Sequence, residues 1–107
     1  MAYQLKTTSI KGKDYVQVNE RIIAFRKLPD FKGYSIETEM VAIDSDMCVM
    51  RAVIRDSKGA VAATGFAQED RSSSMINKTS YVENCETSAV GRALGFLGIG
   101  VEASIAT

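Results

Sequence analysis

The spacing of hydrophobic positions changes twice along the chain, and each change marks an element. Val18, Ile22 and Phe25 lie four and three residues apart, with Glu20, Arg21 and Arg26 elsewhere on the wheel. This predicts a short helix from an N-cap at Asn19 to about Leu28. Pro29 ends it, and the DFKG that follows reads as a loop with Phe31 near its tip, a ring placed to stack. From Tyr34 the period becomes two: Tyr34, Ile36, Thr38 and Met40 alternate with Ser35, Glu37 and Glu39, predicting a strand that ends near Ile43.

Residues 47–55 and 60–69 read as a hairpin closed by Asp56, Ser57, Lys58 and Gly59, a type I turn with glycine where φ must be positive. If the turn pairs Arg55 with Ala60, one face collects Cys48, Met50, Ala52, Ile54, Val61, Ala63, Gly65 and Ala67, and is the core. The other face then sets Phe66 opposite Val49 and Arg51 opposite Thr64, with Arg55 beside them. Residues 70–77, DRSSSMIN, have no period and read as part of a mobile polar loop over 70–79. At the other end, Leu5, Ile10, Val16 and Val18 flank a turn-like KGKD, which fits two short strands or an extended arm.

The most informative stretch is 81–100, YVENCETSAVGRALGFLGIG, which holds four of the eight glycines. Ser80 and Glu83 form a capping-box pattern, so a helix is expected from Tyr81 to about Leu97, stopped by Gly98. Val82, Cys85, Ala89, Ala93 and Leu97 make its apolar stripe. Gly91 and Gly95 inside it cost roughly 1 kcal/mol each against alanine. Either close packing against a neighbouring element or backbone approach to a phosphate offsets that cost. Arg92 has no carboxylate three or four residues away on its own helix, which leaves it free to meet a phosphate.

With 107 residues and 46% hydrophobic content, the chain is expected to be one domain. It divides into a basic segment at 1–33, a sheet at 34–69, the loop and the glycine-bearing helix at 80–100. No apolar run approaches a membrane span and the N-terminus lacks a signal-peptide pattern, so a cytoplasmic protein without a membrane partner is expected. There is no histidine, the two cysteines are far apart in sequence, and no Walker or dinucleotide glycine motif occurs. A non-catalytic protein without a cofactor or metal follows from this reading. The acidic pairs Glu37/Glu39 and Asp44/Asp46 fit a solvated face better than a cation site.

Net charge is zero, but residues 1–33 carry seven Lys/Arg against three Asp/Glu, and residues 34–107 carry six against ten. Lys6, Lys11, Lys13, Arg21, Arg26, Lys27 and Lys32 are therefore candidates to track a phosphate backbone, each neutralised phosphate releasing counterions. Sequence-tolerant binding of a single strand also needs an aromatic surface beside cations. Phe66, Arg51 and Arg55 on the outer hairpin face meet that need, with Tyr34 as a second ring and Arg92 as a further cation.

The runs ENCETSAVGRALGFLGIG, YVQVNERIIAFRKL and SIETEM resemble small single-stranded-DNA-binding proteins of bacteriophage recombination modules, over nearly the whole chain. That resemblance implies a variant OB-fold and a homo-oligomer working on single-stranded DNA in the host cytoplasm, with phage or host recombination proteins as further partners. GRALG-like helices also resemble parts of phage strand-annealing proteins, which implies a β-β-β-α core and ring or filament assembly. By period alone the chain is α+β with a small antiparallel sheet. The N-terminal strand pair and the resemblance favour a strongly curved sheet or partly open barrel; the β-β-β-α order fits without them. The functional readings are a single-stranded-DNA-binding protein of phage recombination or replication, an annealing protein, and an interaction module without nucleic acid.

Overall fold

In the computed structural model, which describes residues 7–10 and 13–101, two antiparallel units share the chain with two helices. The order is β1 (Thr7–Ile10), β2 (Lys13–Val16), α1 (Val18–Lys27), a 3-10 turn at Pro29–Phe31, β3 (Ser35–Ile43), β4 (Met47–Arg55), β5 (Val61–Asp70) and α2 (Asn77–Leu97). The class is α+β, with both helices where the periodicity puts them. β1 and β2 pair only with each other, and the main sheet is open, in the order β3-β4-β5. Among the described residues the arrangement is three antiparallel strands followed by a helix laid across one face.

Away from the turn the faces of the hairpin are as the alternation predicts, but its register is not. Arg55 pairs with Val61 instead of Ala60, and beyond a bulge Ile54 pairs with Ala63, so Arg51 faces Phe66 and Val49 faces Gln68. The cause lies in the turn. Asp56 Oδ1 accepts the amides of both Lys58 and Ala60, and Gly59 sits at φ +87°, which draws Ala60 into the turn. The slip in the strand interior is two residues, an even number, so the side chains from Ala63 onward keep their faces, but Val61, expected in the core, lies before the bulge opposite Arg55 and is exposed. A second bulge interrupts β3 between Met40 and Ala42.

Cys48, Met50, Ala52 and Ile54 of β4 are buried against Cys85, Ala89, Ala93 and Leu94 of α2, with Ala24 and Phe25 of α1 completing the core. Burying side chains such as Ile54, Leu94 and Phe25 contributes roughly 1.5–3 kcal/mol each. Gly65 sets the distance between sheet and helix: a Cβ there would lie 2.4 Å from Ala93 N and 2.6 Å from Ala89 O. Gly91 does the same between the helices, since a Cβ on it would lie 2.5 Å from Val18 Cγ2. Close packing on α1 accounts for Gly91, and no phosphate approach is needed.

α2 begins at Asn77, three residues before the capping-box serine, Ser80. Its first turn is held by Asn77, whose buried Nδ2 donates to Glu69 Oε2 at 2.8 Å and Ser73 Oγ at 2.6 Å, and whose Oδ1 accepts from Asn84 at 2.7 Å. The DRSSSMIN stretch is thus tied to the helix through hydrogen bonds of its own. Ser80 lies inside α2 at φ −132° and ψ 25°, a kink. The cap-like residues mark that interruption, after which the predicted helix runs on. Both cysteines are free and buried. No helix among the described residues is long and apolar enough to cross a membrane.

Candidate nucleic-acid interface

Because α2 covers the Gly65 face, the opposite face of the sheet carries the polar and aromatic residues. Along β5, Thr64, Phe66 and Gln68 alternate onto it, and along β4, Val49, Arg51, Val53 and Arg55 do the same. Phe66 is 52% exposed. It stands directly across from Arg51, which on its other side faces Glu39 of β3. The slipped register therefore produces a row, Glu39, Arg51 and Phe66, in which a ring adjoins a cation.

The two arginines of this face are already engaged. Arg51 Nε lies 2.8 Å from Glu39 Oε1, although this approach is too far off the N–H axis for a hydrogen bond. Arg55 Nε donates to Glu37 Oε1 at 2.7 Å and Nη1 to the Gly59 carbonyl at 3.1 Å. The strand periodicity put Glu37 and Glu39 on a solvated face without revealing that each meets an arginine across the sheet. Both pairs are more than a third exposed, so each is worth at most about 1 kcal/mol and exchanges easily for another anion.

The remaining expected site residues are dispersed. Arg21 is only 1% exposed and donates from Nη1 to the Gly91 carbonyl at 3.0 Å. It is a core residue, unavailable to a phosphate. Its pKa is lowered by burial. A helical wheel based on three apolar positions had no way to show that a second helix would cover this cation.

Tyr34 and Phe31 are not stacking platforms, because both turn inward around Phe25. Phe31 stacks on Phe25 at 5.7 Å, and Tyr34 meets Phe25 and Phe31 edge-on at 6.4 and 5.4 Å. Tyr81 donates its hydroxyl to the Asp44 carbonyl. Arg26 and Lys27 are exposed on α1, Arg26 with its guanidinium 5.1 Å from the Phe25 ring centre. They lie on the α2 side of the sheet and share no surface with Phe66. Lys32 is exposed beyond the 3-10 turn, and Arg92 is half-buried on α2. Lys6 and Lys11 lie outside the described residues, as does the side chain of Lys13.

Arg71 and Lys78 were missed by the sequence reading. Arg71 Nε donates to the Lys78 carbonyl at 3.2 Å, so two exposed cations flank the start of α2. The two lie seven residues apart, and the irregular stretch between them has no periodic signal. Among the described residues no group of three or more potential metal ligands occurs.

A family model described as Slr1353 N-terminal dsRNA-binding domain-like matches residues 16–97, from the last residue of β2 to the last residue of α2. The chain belongs to that family. As a member of the Slr1353 N-terminal dsRNA-binding domain-like family, it has a fold of the nucleic-acid-binding kind, in which the matched region contains the open sheet, both helices and the Phe66 row. No curated protein and no solved structure matches the chain.

Proposed function

We propose that the protein is a non-catalytic, sequence-tolerant nucleic-acid-binding protein that takes single-stranded DNA on the open face of its sheet. The observation that carries this reading is the half-exposed Phe66 ring directly across from Arg51 on the face that α2 leaves uncovered. A base stacks on Phe66, an interaction worth about 1–3 kcal/mol per base and indifferent to base identity. The adjoining phosphates draw Arg51 and Arg55 away from Glu39 and Glu37, exchanging weak exposed pairs for charge-assisted contacts. The sequence resemblance supports a place in phage recombination or replication in the host cytoplasm, with several copies acting together along a strand.

A second reading follows from the family description, duplex RNA. Duplex RNA is recognised by shape and backbone contacts, and the exposed Arg26, Lys27 and Lys32 are among the cations available for it. Fluorescence anisotropy with labelled single-stranded DNA, single-stranded RNA and both duplexes, at low and moderate salt, separates the two. Salt-sensitive preference for single strands supports the first reading, preference for duplex RNA replaces it with the second, and no binding to any of them removes both. Mixing complementary single strands with the protein and following duplex formation tests the annealing activity implied by the weaker resemblance.

A further inference from the structure

On the β3 side of α2, Ile22, Ile36, Thr38, Glu86, Thr87 and Val90 line an open groove of about 350 Å³. It is mostly apolar with one carboxylate at its mouth, held there by the Thr38 hydroxyl, which donates to Glu86 Oε2 at 2.7 Å. Met40, the next residue of β3 on that face, is also exposed and lengthens the apolar strip.

Another flank of α2 carries the complementary shape. Phe96 is 63% exposed, and Arg92, one turn before it, makes no hydrogen bond or ion pair with any described residue. Residues four apart share a helix face, so ring and guanidinium project together. Val90 in the groove and Arg92 beside the knob are two residues apart, which turns them by roughly 200° about the helix axis. Knob and groove therefore occupy different flanks of one molecule.

We infer that the groove receives a second copy of this chain, with Phe96 of one subunit between Ile22, Ile36 and Val90 of the next and Arg92 paired with Glu86. The charges are complementary, the groove is large enough for an aromatic ring, and among the described residues Arg92 has no ion-pair partner and Glu86 has only the neutral Thr38 hydroxyl. A contact between different surfaces leaves a free knob at one end and a free groove at the other, so it propagates head to tail into a ring or filament. This rests on the assembly part of the proposed function and not on its nucleic-acid part, and the test contains no nucleic acid.

Sedimentation velocity of the full chain over a range of micromolar concentrations measures the assembly. The wild type is expected to pass beyond two copies. Phe96→Glu and Glu86→Arg each raise the dissociation constant about thirtyfold or more, the scale of a central aromatic or charged anchor, with circular dichroism confirming an unchanged fold. A one-to-one mixture of the two variants, one intact knob meeting one intact groove, forms pairs and stops there. The double variant Glu86→Arg with Arg92→Glu assembles again. A monomeric wild type, a wild type that stops at two copies, single variants that assemble as the wild type does, or a mixture that fails to pair overturns the inference.

Discussion

Arg21 and Gly91 lock the two helices together: the guanidinium reaches from α1 to the Gly91 carbonyl at 3.0 Å, where the absence of a Cβ also lets Val18 approach α2. The arrangement is costly, since Arg21 Nε and Nη2 are buried without a hydrogen-bond partner. Replacing a buried charge by an apolar chain of similar volume is often neutral or stabilising, whereas truncation leaves a hole. Arg21→Met is expected to keep stability within about 1 kcal/mol of the wild type, and Arg21→Ala to lose roughly 2–4 kcal/mol. Urea unfolding measures both, and neither change should alter the salt dependence of nucleic-acid binding.

Gly65→Ala puts a methyl group 2.4 Å from the Ala93 amide nitrogen and 2.6 Å from the Ala89 carbonyl oxygen. Both neighbours are backbone, so α2 as a whole must move. The expected loss is about 3 kcal/mol, the upper part of the overpacking range, seen as a lower urea midpoint. An unchanged midpoint would show that helix and sheet can separate without penalty.

Phe66→Ala removes a ring that supports little of the core. Stability is expected to fall by less than about 1 kcal/mol, while single-strand affinity drops by a factor of about 5 to 150, the equivalent of one stacked base. Anisotropy and thermal melting on the same samples separate the two effects. A large stability loss with unchanged affinity would make the ring structural.

Cys85 on α2 is packed against β4 and β5, its thiol donating to the Ala67 and Cys48 carbonyls at 3.3 and 3.4 Å. Burial, reinforced by the adjacent Cys48 thiol, pushes its pKa up from 9.0 to about 12. A raised pKa means the folded state holds the proton more tightly, so the contribution is complete below pH 9 and is lost as pH rises from there toward 12. Stability should decline by up to about 1.4 kcal/mol per pH unit in that window, and Cys85→Ala should remove this part of the slope. Urea midpoints of both proteins at a series of pH values give the comparison.

Local signals in the sequence were read well where one rule governed them. Alternation placed β3, β4 and β5 and assigned the core face of β4, and the Asp56 to Gly59 turn fixed the hairpin. Its register escaped because the Asp56 side chain captures the Ala60 amide, a contact made by a side chain and not by strand propensity. The start of α2 escaped for a related reason: Asn77 holds the first turn through Glu69 and Ser73, whereas the capping pattern at Ser80 marks the kink. Of the candidate site, exposure of Phe66 was legible from the hairpin faces. The fates of Arg21, Tyr34 and Phe31 were not, since each depends on which distant element covers it.

The bulge at Val41 bears on what the edge of the sheet can template. β3 is a nine-residue edge strand with Met40, Val41 and Ile43 all exposed, the kind of edge that recruits foreign strands into cross-β aggregates. Interrupting its hydrogen-bonding pattern after Met40 leaves only a short uninterrupted template on either side. A foreign strand then finds no continuous ladder to extend along this flank, and the edge is a poorer seed for fibrils than its exposed apolar residues alone would make it.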